Sequence, residues 1–72
     1  MIFDQIRTIH FVGIGGIGMS GIAEILNGAG LLVTGCDLKR SATTDLLASR
    51  GIAVTIGHDP SHIHGNDLIV IT

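Results

Sequence analysis

The residues best suited to chemistry in this sequence are glycines set closely together near the amino terminus. Gly13, Gly15 and Gly18 follow the pattern G-x-G-x-x-G, and Gly16 and Gly21 lie among them. Glycine adopts positive φ without a Cβ clash and lets a ligand approach the backbone. A helix that starts in such a loop presents N–H groups without intrahelical partners and a partial positive charge, which favour an anion. The pattern therefore predicts a phosphate-binding loop.

The segments on either side of the glycines support this interpretation, because the bare pattern also occurs in turns that only pack a helix against a strand. An apolar run predicts a first strand over 8–13, buried on both faces. A first helix is predicted over 15–29, where apolar residues recur at helical spacing, and Gly30 ends it in a left-handed conformation. Asp37 closes the next strand about 20 residues after the loop, where an acid commonly meets a ribose.

The rest of the chain predicts alternating strands and helices. We predict a second strand over 31–37, a second helix from a cap at Ser41 or Thr43 to about Arg50, a third strand over 52–56 and a fourth over 68–71. Right-handed crossovers place both helices on one face of a parallel sheet, and a doubly wound arrangement gives the strand order 3-2-1-4. The expected fold class is α/β, a Rossmann-like sheet with its ligand crevice above the glycines.

The predicted sheet is truncated. Residues 1–72 form one small domain, and no helix follows the fourth strand to cover the second face of the sheet. A sheet of this size buries little surface. We therefore expect a fragment of a longer protein that can self-associate through the uncovered face.

Composition and charge exclude several classes of function. The 72 residues are 46% hydrophobic and 14% charged, and the net charge of -2 argues against nucleic-acid binding. No apolar run reaches the roughly 18 residues of a membrane span. The amino terminus lacks the pattern of a signal peptide. The one cysteine, Cys36, fits a reducing compartment, so we expect a cytoplasmic protein with no membrane partner.

Other chemistry-bearing side chains are interpreted as structural. His58, His62 and His64 are spaced H-x-x-x-H-x-H, but a proline interrupts them and no cysteine is near. Zinc takes four tetrahedral ligands, or three and a water, so we predict no metal site. His10 lies inside the first strand, where we expect a hydrogen-bonded structural role. We predict no catalytic residue in this chain, because no catalytic triad or carboxylate pair can be argued from it.

A longer run around the glycines is far more specific than G-x-G-x-x-G. The run from His10 to Gly21 reads HFVGIGGIGMSG and closely resembles the start of the Mur ligases, the ATP-dependent amide ligases of peptidoglycan synthesis. The similarity is greatest to the members that add the first amino acid, L-alanine, to UDP-N-acetylmuramate. Later positions agree: Gly35-Cys36-Asp37-Leu38, Ser41, Thr44, Gly51-Ile52, Gly57-His58 and Asp67.

The resemblance implies a protein of three domains. The first is Rossmann-like and holds the UDP part of UDP-N-acetylmuramate, the second carries ATP and Mg2+, and the third brings the amino acid. The lactyl carboxylate of the sugar is phosphorylated, and the amine of L-alanine then attacks it. This chain has no G-x-x-x-x-G-K-[ST] motif. We therefore expect it to bind UDP-N-acetylmuramate without a cofactor of its own and not to catalyse alone.

The resemblance also assigns binding residues. The UDP diphosphate would lie against Gly13, Gly15, Gly16, Ile17, Gly18, Met19 and Ser20, mainly through backbone amides, with a hydroxyl from Ser20. Asp37 would approach the ribose or uracil, and His58 would lie near the uracil. The diphosphate assignment also follows from the physics of a helix amino terminus.

Two alternatives remain open at this point. An NAD(P)-binding domain of an oxidoreductase or regulatory module needs the same glycines and Asp37, and Arg40 would then take a 2′-phosphate. That alternative gives no reason for the extended glycine-rich run or for Gly57-His58. In the other, the chain alone binds nothing because half of its crevice is absent. For Asp37 by itself, a role as a cap of the following turn also stays open.

Overall fold

The computed structural model describes residues 6–57 and 65–71 of the chain. Within these ranges the elements are β1 (Thr8–Val12), α1 (Ile17–Gly28), β2 (Leu32–Asp37), α2 (Ala42–Ser49), β3 (Ala53–Ile56) and β4 (Leu68–Ile71). The four strands are parallel and form one sheet in the order β3-β2-β1-β4. The predicted α/β class and strand order are confirmed.

Gly30 ends α1 as predicted, and Gly51 ends α2 in the same way. Gly30 and Gly51 have φ of +96° and +86°, a left-handed conformation that favours glycine and ends a helix. The next residue bonds back to the helix: the N–H of Leu31 donates to a carbonyl of α1 at 3.2 Å, and that of Ile52 to one of α2 at 3.1 Å. Leu31 and Ile52 thus form hydrogen bonds that close the ends of α1 and α2. The strands that follow, β2 and β3, therefore begin one residue later than predicted.

The start of α1 was predicted two residues too early. Gly13 has φ of +82° and turns the chain out of the sheet, so β1 ends at the residue before it. The N–H of Gly15 bonds to the Asp37 carboxylate at 2.8 Å, outside any helix. Gly16 is the N-cap with an extended backbone, φ -65° and ψ 149°, and Ile17 is the first helical residue.

The hydrophobic core lies between one sheet face and both helices. Ile9, Phe11 and Val33 lie on that face, are at most 1% exposed, and pack in one cluster with Ala23 of α1 and Leu47 of α2. The two helices also contact each other. Their predicted placement on one face of the sheet is confirmed. Met19, Ile22, Ala23 and Leu26 recur at helical spacing and predict one buried stripe of α1. This prediction is wrong at Ile22, which is 49% exposed.

The opposite face of the sheet is not covered by either helix. The Nδ1 atom of His10 and the Oγ1 atom of Thr34 lie 2.8 Å apart on adjacent strands of this face, which confirms the predicted hydrogen bond of His10. Leu32 and Ile71, in the outer parts of the same face, are 64% and 70% exposed. Apolar side chains of the described residues therefore meet solvent here.

A glycine in β2 makes room for the turn that leaves β1. The side chain of Ile14 is fully buried and lies directly over Gly35. A Cβ on Gly35 would lie 2.7 Å from the Cβ of Ile14, closer than packed atoms tolerate. The absence of a side chain at position 35 therefore decides how closely the turn approaches β2.

We predict that Gly35→Ala lowers the free energy of unfolding by about 1–3 kcal/mol, because Ile14 must shift and the core is overpacked. Urea denaturation measures the difference. Gly21→Ala is the matched control: a Cβ there meets nothing within 4 Å, and alanine favours a helix interior, so this variant should be at least as stable as the parent. Equal stability of Gly35→Ala and the parent would contradict the packing described.

Asp67 attaches β4 to the beginning of β1. Its Oδ2 atom accepts the N–H groups of Arg7 at 2.8 Å and Thr8 at 3.1 Å. Its own N–H donates to the hydroxyl oxygen of Thr8 at 2.9 Å. The N–H groups of Arg7 and then Thr8 favour the ionised carboxylate and hold the pKa of Asp67 below its usual value.

We predict that Asp67→Asn makes stability less dependent on pH. The pKa of Asp67 is lower in the folded than in the unfolded state, so its stabilisation is complete above the unfolded value of about 3.9 and is lost as the pH falls through the folded value. The variant should be less stable than the parent at pH 7, and its stability should fall less between pH 5 and pH 3. Thermal unfolding at several pH values measures this, and parallel curves for the two proteins would contradict it.

Candidate functional site

The glycine loop, residues 13–16, is held on the carboxyl end of β2 by backbone hydrogen bonds. The N–H groups of Gly13 and Ile14 both donate to the carbonyl oxygen of Cys36, at 2.8 and 3.1 Å. The N–H of Gly16 donates to the carbonyl of Gly13 at 3.0 Å and closes the turn. The loop thus lies at the edge of the sheet where parallel α/β folds bind ligands.

Asp37 joins three segments at this edge. Its Oδ2 accepts the N–H of Gly15 at 2.8 Å, and its Oδ1 lies 3.4 Å from the backbone nitrogen of Lys39. Its carbonyl oxygen accepts the N–H of Gly57 at 2.7 Å, which brings the end of β3 to the same place. A carboxylate has about four acceptor positions, so these bonds leave room for a ligand hydroxyl.

The bond between Gly15 and Asp37 was not anticipated from the sequence. The resemblance assigned the amide of Gly15 to the diphosphate and the carboxylate of Asp37 to the ribose or uracil. In the structure these two groups bind each other. The spacing of the motif indicates that both lie at one sheet edge, but it carries no signal for a direct contact between them.

The amino terminus of α1 is open beside this loop. Gly16 offers no side-chain cap, and the first turn contains no acidic residue. The first intrahelical bond runs from the N–H of Ser20 to the carbonyl of Gly16 at 2.9 Å, so the N–H groups of Ile17, Gly18 and Met19 point out of the helix end. The side chain of Ile17 is 97% exposed, and a Cβ on Gly18 would meet nothing within 4 Å.

The structure also shows where Ser20, Cys36 and Arg40 lie. The hydroxyl of Ser20 donates to the carbonyl of Ile17 at 3.3 Å, within the helix. Cys36 is buried, and burial raises the pKa of its thiol. Arg40, the candidate for a 2′-phosphate, pairs with Asp45 at 2.8 Å on the surface. The structure thus brings the glycine loop and Asp37 into direct contact, with the start of α1 following the loop.

His58, predicted to lie near the uracil, falls outside the described residues, as do His62 and His64. Among residues 6–57 and 65–71, no three histidine, cysteine or acidic side chains converge as metal ligands. Within the same ranges, no helix is both long and apolar enough to cross a bilayer.

The sequence matches known proteins over nearly its whole length. A family model described as the Mur ligase family, catalytic domain, matches residues 8–72. The UDP-N-acetylmuramate–L-alanine ligase of Halorhodospira halophila is 49% identical over 70 residues, covering 97% of this chain and 14% of that protein. The enzyme of the same name from Neisseria gonorrhoeae is 50% identical over 70 residues, covering 97% of this chain and 15% of that protein.

A solved structure is similar in fold as well as in sequence. The murein peptide ligase of Psychrobacter arcticus superposes with a TM-score of 0.83 at 28% identity, covering 90% of this chain and 14% of that one. The chain thus spans only a small part of the length of its relatives. The family match includes the glycine loop, the open end of α1 and Asp37. On this sequence match and fold, the chain belongs to the Mur ligase family.

Proposed function

We propose that this chain is the UDP-binding domain, residues 1–72, of an ATP-dependent ligase that adds L-alanine to UDP-N-acetylmuramate in peptidoglycan synthesis. The observation that carries the proposal is the open amino terminus of α1, held beside Asp37 at the carboxyl edge of the sheet. Two relatives about half identical to this chain are named as ligases of that substrate and amino acid.

The diphosphate would bind at the end of α1. The N–H groups of Ile17, Gly18 and Met19 are oriented to donate to its oxygens, and the helix dipole adds roughly half a positive charge there. No carboxylate in the first turn opposes an anion. Gly18 has no side chain, so a ligand can approach the backbone at this position of the helix.

The ribose or the uracil would then lie toward the ends of β2 and β3. Asp37 is fixed there by its bond to Gly15 and can accept a hydroxyl of the ribose. Gly57, bonded to the carbonyl of Asp37, precedes His58, which we propose lies near the uracil. The diphosphate and the nucleoside are therefore assigned to adjacent parts of one edge.

We assign ATP and Mg2+ to a part of the whole protein outside this chain. The sequence has no G-x-x-x-x-G-K-[ST] motif, and the described residues hold no cluster of acidic ligands. We propose that ATP, Mg2+ and L-alanine bind elsewhere in the whole protein, and that it works in the cytoplasm. We also propose that this chain can self-associate through its open sheet face, where Leu32 and Ile71 are exposed.

Calorimetric titration with UDP-N-acetylmuramate, UDP and NAD tests the proposed function. We predict that both uridine compounds bind and that NAD gives no heat, because all three carry a diphosphate but only the uridine compounds carry the uracil that the ends of β2 and β3 are proposed to hold. Binding of NAD alone would contradict the proposal and favour a dinucleotide-binding domain.

A pair of variants locates the binding in the same experiment. Asp37→Ala should weaken the binding of UDP by about 1–3 kcal/mol, because a hydrogen-bond acceptor for the ligand and the anchor of Gly15 are both lost. Asp45→Ala removes an exposed carboxylate that bonds Arg40 instead, and it should leave the affinity unchanged. Equal affinities of these two variants for UDP would place the ligand away from Asp37.

A further inference from the structure

Thr44 belongs to α2, yet its side chain extends between that helix and the glycine loop. It is only 2% exposed, although it is polar. Its hydroxyl accepts the N–H of Ser41 at 2.8 Å and donates to the carbonyl of Ser41 at 2.9 Å. The N–H of Thr44 in turn donates to the Ser41 hydroxyl at 3.2 Å. The hydroxyl of Thr44 is thus used within the capping box that begins α2.

The methyl group of Thr44 has a different neighbour. A Cβ on Gly15 would lie 3.1 Å from the methyl carbon of Thr44 and 2.8 Å from Oδ2 of Asp37. The Cβ side of Gly15 is therefore occupied by the methyl group of Thr44 and the carboxylate of Asp37, which leave no room for a further methyl group. The N–H of Gly15 donates to that same Oδ2 atom. The methyl of Thr44 thus packs on the same side of Gly15 as the carboxylate that accepts this hydrogen bond.

We infer that Thr44 is a positioning residue for the glycine loop: its buried methyl group fills the space beside the bond between Gly15 and Asp37, restrains that bond and thereby sets the direction of the amides that follow. Gly15 is separated from the first helical residue, Ile17, only by the N-cap. A loop that is already ordered loses less entropy when it binds a ligand. The effect on ligand affinity rests on the proposed function, whereas the effect on the loop itself does not.

Two substitutions separate the methyl from the hydroxyl. Thr44→Ser removes the methyl and keeps the capping box. Thr44→Val keeps a methyl against Gly15 and removes the hydroxyl, so it weakens the start of α2. We expect Thr44→Ser to bind UDP roughly tenfold more weakly than the parent, since the loop must then be ordered on binding. Thr44→Val should bind UDP as the parent does at temperatures where it is folded, while unfolding at a lower temperature.

Amide hydrogen exchange, followed by NMR, provides a readout that needs no ligand. The N–H of Gly15 is protected by its bond to Asp37. It should exchange roughly tenfold faster in Thr44→Ser, and at the parent rate in Thr44→Val, because local opening governs exchange. The N–H of Ala29, bonded at the far end of α1, is the internal control and should be unchanged in Thr44→Ser.

The outcomes are distinguishable. If the parent does not bind UDP but the exchange of Gly15 follows the expected pattern, the proposed function fails and the role of Thr44 stands. If exchange of Gly15 is unchanged in Thr44→Ser, or if Thr44→Val accelerates it as much, the positioning role is overturned. A role in stability alone would make exchange and affinity follow the unfolding temperature across both variants.

Discussion

The structure depends on a single attachment, that of the glycine loop to the carboxyl end of β2. Three successive N–H groups, those of Gly13, Ile14 and Gly15, donate to the carbonyl of Cys36 and the carboxylate of Asp37. These three hydrogen bonds fix where the chain leaves β1. The position of α1, and hence of its open amino terminus, follows from this attachment.

The attachment also explains why distant residues matter to the site. Gly35 leaves space for the buried Ile14, which lets the loop approach β2 closely enough to form the bonds. The Asp37 carbonyl extends the same contact to Gly57 after β3. Glycines therefore serve two purposes here: they permit a tight turn at Gly13 and a close approach at Gly35.

Much of the fold could be predicted from the sequence because its signals are local. Gly30, Gly51 and Ser41 mark helix ends by their own conformations and hydrogen bonds, and apolar runs mark the strands. The details of the site could not be predicted, since they depend on contacts between segments distant in sequence. The bond between Gly15 and Asp37 spans 22 residues, and it shifts the start of α1. The location of the glycines and Asp37 at one edge was predictable, whereas their direct contact was not.

The central claim is that the open end of α1 receives a diphosphate. NMR titration of the 15N-labelled protein with UDP tests it most directly, because each backbone amide reports separately. The account predicts that the amide resonances of Ile17, Gly18 and Met19 shift most, and that uridine alone, which lacks phosphate, leaves them in place. Large shifts confined to other parts of the chain, or equal shifts with uridine and UDP, would contradict it.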